Sequence, residues 1–438
     1  MALGKKSIKT FYLHYDEIIK TGFYFGTSTF IKLLSGLIIA KIIVVRSGAE
    51  GFGLISQFQT ILNIFLVYAG GGITTGVTKY VSSYRISDTI KLNSIIQTAS
   101  FITLVSGLIL SFFTIAFSAQ ISDYLFQTSE YSFVIKITGF FQFFIGFNSF
   151  FQAILSGFRE TVSIAKISIF GSIFGLICFY VLSLNSSINF LMIGLILFGF
   201  FSTFLSLYFI VKKKYHKELL FYPKYYPQNT KLLSKYFLML TVTVLTLPVA
   251  HIAIRNIIES QFGWSYVGKW QGVMKISDAY LQYITIILSF YFFPKLASIK
   301  EKSEIKYEIL KILKIIVPAT ILLSGFIFLF RKGIILLLYS VSFMDIEHFF
   351  TFQLIGDVFK VIAYTIIMIA PAHGLVSVYI IAEIFQSTLL VFTSYCLISL
   401  FGVVGVTYAY ALTYFLYMIF AICILILYLK FDFLDNNH

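Results

Sequence analysis

An all-α integral membrane protein, with twelve transmembrane helices in two pseudo-symmetric six-helix lobes around a central cavity, is the architecture that three features of this sequence support. The first is composition. Of 438 residues, 58% are hydrophobic and 12% charged, and the mean hydropathy is +0.90, whereas a soluble domain carries about a quarter charged residues. The second is spacing: apolar windows of the ~20 residues needed to cross a ~30 Å hydrocarbon core recur along the whole chain. The third is charge, because the basic residues are distributed unevenly between alternate loops.

The windows run near 21–45, 53–77, 93–116, 131–155, 161–184 and 188–211, then near 234–256, 270–294, 306–330, 348–370, 375–398 and 403–429. The first 20 residues mix Lys5, Lys6, Lys9, Asp16, Glu17 and Lys20 with aromatics. They lack an apolar core and a small-residue cleavage site, and read as an interfacial helix leading into the first span. Turns as short as 184–188 and 371–374 require antiparallel neighbours. With both termini in the cytoplasm, 23 of the 33 Lys and Arg fall in cytoplasmic segments, five outside and five within the spans. Adding or removing one span would mix these groups.

A basic connector, 212–233, separates an N-terminal lobe (1–211, spans 1–6) from a C-terminal lobe (234–438, spans 7–12). Its Pro223 and Pro227 disfavour a long regular helix, and its lysines suit anionic lipid headgroups. The halves echo each other weakly. Residues 40–53 and 250–268 each place a polar residue near a span end before a loop that closes on Phe52-Gly53 or Val267-Gly268. Two parallel repeats give this pattern and imply a cleft between lobes. Cys178, Cys396 and Cys423 all lie in apolar spans and read as small hydrophobes; no disulfide, metal site or other cofactor is suggested.

Function is signalled by charge where charge is expensive. Lys32, Lys41, Lys136, Lys275 and Lys360 lie inside spans with Asp278, Asp357 and Glu383, although a charge at the bilayer centre costs about 2.5–3.5 kcal/mol on insertion scales. The positive excess points to a polar pathway for an anion. Lys32 lies half-way along span 1, with Ser28, Ser35 and Gly36 on its face. Lys41 lies nearer the outer end, where it can equally snorkel. Pro248, His251 and Arg255 share one face of span 7. Arg255 offers a planar fork for phosphate, or sits as an outer-interface charge. Lys275–Asp278 and Asp357–Lys360 are spaced three apart, as self-neutralising pairs or as ion pairs that change partners during a cycle. Glu383 has no basic residue within a turn. Lys79, after the Gly70–Gly72 run, is a topology-setting charge or helps admit a headgroup.

Several strings carry a family resemblance: 76–81 (GVTKYV), 157–159 (GFR), 247–250 (LPVA) with Arg255, 270–273 (WQGV), 276–282 (ISDAYLQ), and 353–358 (QLIGDV) with Lys360. Spread over spans 2 to 10, they resemble the Wzx flippases of the multidrug/oligosaccharidyl-lipid/polysaccharide exporter superfamily, particularly members serving enterobacterial common antigen. The resemblance implies alternating-access transfer of an undecaprenyl-pyrophosphate-linked oligosaccharide from the cytoplasmic to the periplasmic leaflet of the bacterial inner membrane. The cargo would be an O-antigen unit or the enterobacterial common antigen unit, lipid III. Lys32, Lys41, Lys79, Arg255, Lys275 and Lys360 would then bind the substrate, and Asp278, Asp357 and Glu383 would switch. Membrane lipids, a polysaccharide polymerase and a chain-length regulator are the implied partners; nucleic acid is not. A cation-coupled multidrug exporter of the same superfamily is the alternative, but it predicts an acidic cavity. An enzyme acting on lipid-linked sugars predicts a large polar loop or clustered carboxylates, and neither is present. No GxxxxGK[ST] phosphate loop occurs.

Overall fold

A computed structural model describes residues 2–215 and 219–430, with side chains described from Tyr24 onward apart from Phe25, Tyr236, Leu238, Met239 and Phe290. Residues 216–218 of the basic connector, and 431–438 at the end of the expected C-terminal lobe, lie outside the described residues. Among the described residues all regular structure is helical. In hydrocarbon no water satisfies an exposed N–H or C=O, so each apolar window must close its hydrogen bonds within itself.

The principal helices are α1 (Ala2–Ala69), α2 (Thr74–Tyr84), α3 (Thr89–Ala116), α4 (Ser132–Gly157), α5 (Thr161–Ser183), α6 (Ile188–Lys212), α7 (Pro227–Phe262), α8 (Trp264–Ile287), α9 (Lys302–Leu338), α10 (Phe350–Ile367), α11 (Val376–Phe401) and α12 (Gly405–Lys430). Nine described stretches are long and apolar enough to cross a membrane, and two of them, Gly26–Tyr84 and Val376–Lys430, are 59 and 55 residues long and hold two spans each. Lys269, Lys275 and Asp278 lower the hydropathy of α8, which supplies the twelfth span. The protein is therefore a multi-pass membrane protein with the expected helical content.

Backbone breaks divide the longest stretches. Gly48 interrupts α1 with φ 65° and ψ −163°, and Gly263, between α7 and α8, has nearly the same conformation at φ 84° and ψ 168°. Only glycine adopts this region without steric cost. The two glycines fall at equivalent points of the 40–53 and 250–268 echo. Pro227 opens α7, where its missing N–H costs nothing. The helix thus begins seven residues before the expected span.

The chain forms two compact units. The first comprises Met1–Ile42 and Ile61–Leu240, the second Ile43–Thr60 and Thr241–His438. The core of the first is built on Val81, Ile96, Ala99, Phe150, Ile154 and Ile167. Gly146 lies against the Ala69 carbonyl and Gly157 against Val81, too close for a larger residue at either point. The connector is docked on α3: Ser100 donates to the Phe221 carbonyl (2.8 Å), Asn93 accepts from the Leu220 N–H (3.0 Å), and Asn229 donates to Ser94 (3.1 Å). At the α4–α5 junction Glu160 pairs with Lys213 at 2.8 Å and accepts from Ser163 and Tyr215. Partial burial opposes its ionisation, but the Lys213, Ser163 and Tyr215 hydrogen bonds prevail and hold the carboxyl below its ordinary 4.5.

The second unit receives the 43–60 segment of α1. Phe52 packs on Tyr339 and Phe343, and Gly53 meets Gly268 so closely that a Cβ at Gly268 would lie 1.8 Å from the Ala49 carbonyl oxygen. Trp270, Tyr339, Phe343, Phe350, Tyr410, Tyr414 and Tyr417 are among its largest buried side chains.

Candidate functional site

The second unit gathers six of the nine expected site residues: Arg255 on α7, Lys275 and Asp278 on α8, Asp357 and Lys360 on α10, and Glu383 on α11. Asp278 interacts electrostatically with Arg255, Lys275 and Lys360. His251, on the Arg255 face, is within the field of both Arg255 and Lys360 and stands edge-on to Trp270.

Arg255 is only 3% exposed, so it is not the outer-interface charge that its place near a helix end allowed. Its guanidinium donates to Thr60 (2.7 Å), Gln57 (3.3 Å) and Gln271 (2.8 Å), and Gln57 donates onward to Asn256 at 3.0 Å. Nε has no hydrogen-bond partner among the described residues. All three acceptors are neutral. The positive charge is held in place without being cancelled, which leaves its field available to an incoming anion.

The two intrahelical pairs do not close. Among the described residues, neither Lys275–Asp278 nor Asp357–Lys360 comes within the 4.0 Å of an ion pair. The reason at Asp357 is competition. Its two oxygens accept from Tyr280 (2.7 Å) and Tyr410 (2.8 Å), and the side chain is fully buried. Lys360 instead places Nζ over the rings of Tyr414, Tyr410 and Tyr364, at 5.3, 5.7 and 5.8 Å from their centroids. Such contacts hold an ammonium without neutralising it. Asp278 and Gln282 are exposed on α8, while Lys275 is half-buried.

Tyrosines bind these groups into one network. Gln386 donates to Tyr364 (2.8 Å) and Tyr414 (3.0 Å). Tyr280 also exchanges a hydrogen bond with Ser324. Glu383, three residues before Gln386, accepts from Thr246 at 3.4 Å. Tyr410, Tyr414 and Tyr417 recur at four and three residues, one face of α12. That stripe is readable from spacing, but the high overall aromatic content concealed it. Gln57 and Thr60 could not be found that way, since they reach Arg255 from 195 residues or more away in sequence.

The other three expected residues belong to the first unit. Lys32 is exposed and Ser28 and Ser35 beside it are buried, and Gly36 has open space where a Cβ would stand. Lys41 is half-buried. Lys79 is exposed on α2, with Nζ 5.8 Å above the Tyr80 ring.

No protein-family model matches the chain. Two curated proteins do: the Lipid III flippases of Escherichia coli (strain K12) and Shigella flexneri, each 33% identical over 407 residues, 93% of this chain and 97% of the relative. Among solved structures, an inward-facing multidrug resistance MATE family transporter of the MOP superfamily superposes with a TM-score of 0.76 at 15% identity, covering 93% of this chain and 96% of the other. A MOP superfamily transporter from Pyrococcus furiosus, whose description reports a binding pocket of reverse polarity, gives a TM-score of 0.71 at 13% identity, covering 96% of each chain. These structural likenesses establish a shared fold. The near-complete match to the curated relatives establishes kinship as well, and the chain belongs to the Wzx-type lipid III flippases of the MOP superfamily.

Proposed function

We propose that this protein moves an undecaprenyl-pyrophosphate-linked oligosaccharide, lipid III or an O-antigen unit, from the cytoplasmic to the periplasmic leaflet of the inner membrane by alternating access. Both termini face the cytoplasm in this reading, and no covalent bond of the cargo is made or broken. The observation that carries it is the state of the cations in the second unit. Arg255 rests on neutral acceptors, Lys360 rests on tyrosine rings, and neither is consumed by a carboxylate. A pyrophosphate bridging them would gain charge-assisted hydrogen bonds, roughly twice as strong as neutral ones, where hydrocarbon strengthens them further. Lys275 joins the same field, and Lys32, Lys41 and Lys79 are further substrate-binding cations in this reading.

Release needs the field to weaken, and Asp278, Asp357 and Glu383 are the groups that can weaken it. Asp278 already lies in the field of all three cations, so a movement that brings it against a lysine exchanges lysine–substrate for lysine–aspartate contact. The same cation excess disfavours a cationic drug as cargo.

The test is surface-glycan assembly in a deletion strain complemented with variants at matched membrane abundance. Arg255→Ala and Lys360→Ala should each reduce glycan output at least tenfold, because one charge-assisted contact is worth about 1.5–3 kcal/mol. Lys32→Ala should also impair it, with partial rescue by Lys32→Arg. Full output from all three alanine variants would overturn the cationic site.

A further inference from the structure

A lipid-facing groove of about 450 Å³ runs between α9 and α10, lined by Ile321, Ser324, Gly325, Phe328, Leu354 and Phe359 among others. Its walls are apolar, and Ile321, Leu322 and Ile355 around it are exposed. Two polar residues interrupt the lining, the exposed Thr351 and the buried Ser324. Ser324, 7% exposed, shares a hydrogen bond with Tyr280 at 3.0 Å, and Tyr280 donates to Asp357 at 2.7 Å. Two hydrogen bonds therefore separate the groove from the buried carboxylate, and Lys360 lies one helical turn beyond. An apolar slot opening toward acyl chains backs directly onto the cation–tyrosine network of the same unit.

Gly325 makes the slot. A Cβ at this position would meet no atom within 4 Å, so the glycine does not serve close helix packing; it leaves room. The volume falls within the range of about 300–1,000 Å³ typical of small-molecule sites. It suits a few isoprene units rather than a whole polyprenyl chain.

We propose that this groove holds the head-proximal part of the substrate's polyprenyl chain while the pyrophosphate engages the Lys360 side of the network. A phospholipid brings two chains and a single phosphate, whereas a polyprenyl pyrophosphate has one chain, as a narrow slot requires, leading directly to two phosphates. This inference rests on the lipid-linked substrate proposed above.

The experiment compares undecaprenyl pyrophosphate with dimethylallyl pyrophosphate, whose single isoprene unit leaves the groove largely unfilled, binding to the full-length protein in nanodiscs of phosphatidylethanolamine and phosphatidylglycerol, by native mass spectrometry. Gly325→Phe fills the slot without a steric clash at Cβ. Gly333→Leu is the control, since Gly333 lies on the same helix, also has open space at Cβ and does not line the groove. The wild type and Gly333→Leu should prefer the longer chain. Gly325→Phe should lose that preference by at least about tenfold, the equivalent of two methylenes returned to lipid, with dimethylallyl pyrophosphate binding unchanged. Lys360→Ala should weaken both ligands alike. A Gly325→Phe protein that keeps the full chain-length preference, or loses both ligands equally, overturns the groove. So does labelling of Phe328 by a diazirine phosphatidylglycerol that undecaprenyl pyrophosphate fails to displace. If Gly325→Phe behaves as expected but Lys360→Ala changes nothing, the groove stands and the cationic site falls. If the wild type binds neither ligand, the substrate reading fails and takes the groove with it.

Discussion

Glu160 and Arg255 handle partial or complete burial in opposite ways. Glu160 takes a full partner, Lys213 at 2.8 Å, and its carboxyl is held below 4.5. A group whose folded value is depressed adds stability above the unfolded value, and that stability is lost as pH falls through the folded value. The contribution should therefore be intact at neutral pH and disappear in a window below 4.5. Hydrogen exchange of 158–163 and 213–215 should accelerate in that window in the wild type. Lys213→Ala should show faster exchange already at pH 7, with a flatter acid response; an unchanged acid response would mean the latch is structural packing alone. Arg255 forms no ion pair among the described residues and rests on the neutral Thr60, Gln57 and Gln271. Sequence spacing identified it and its face, but offered only its own helix as context. The same limitation allowed Asp357 and Lys360 to be read as a self-neutralising pair, where the structure gives them tyrosine partners instead. Side chains i and i+3 are near each other, yet a hydroxyl from another helix can outcompete that neighbour.

Among helices, legibility was high where the bilayer dictates the answer. Most observed span ends fall within a few residues of the apolar windows, because a helix in lipid must run until its backbone reaches water. The exceptions have local causes, such as Pro227 starting α7 early and the glycine break at 48. Gly48 and Gly268 illustrate two reasons for a glycine, and they predict different outcomes. Gly48 has an L-unfavourable backbone in open space, so Gly48→Ala should cost about 1–3 kcal/mol from strain alone. At Gly268 an alanine Cβ would strike the Ala49 backbone carbonyl; trimming no neighbouring side chain relieves this, and the loss should exceed about 3 kcal/mol. Gly36 is helical and unobstructed, so Gly36→Ala should be neutral or stabilising by up to about 1 kcal/mol. Thermal unfolding in detergent would rank the three. Equal losses at Gly36 and Gly268 would show that the close approach carries no energetic weight.

For the molecule as a whole, composition and the basic-residue asymmetry were enough to give twelve spans, since both report directly on the solvent surrounding the chain. They could not give the path of the chain through the compact units, which depends on a helix continuing past the point where its packing partners change. That path has a consequence for assembly. The chain passes from the first unit to the second within α1 before residue 43, returns after residue 60, and crosses again within α7 after Leu240, never in the connector. Cut in the connector, it would yield two polypeptides that each hold a piece the other lacks: the first carries 43–60 into the second unit, and the second carries the start of α7 into the first. They would be hostages to one another, in the manner of two chains that have exchanged arms. Co-expressed fragments 1–219 and 220–438 should purify as a stable pair, and either fragment produced alone should be degraded; a lone fragment that accumulates and unfolds cooperatively would show that the exchange can be dispensed with.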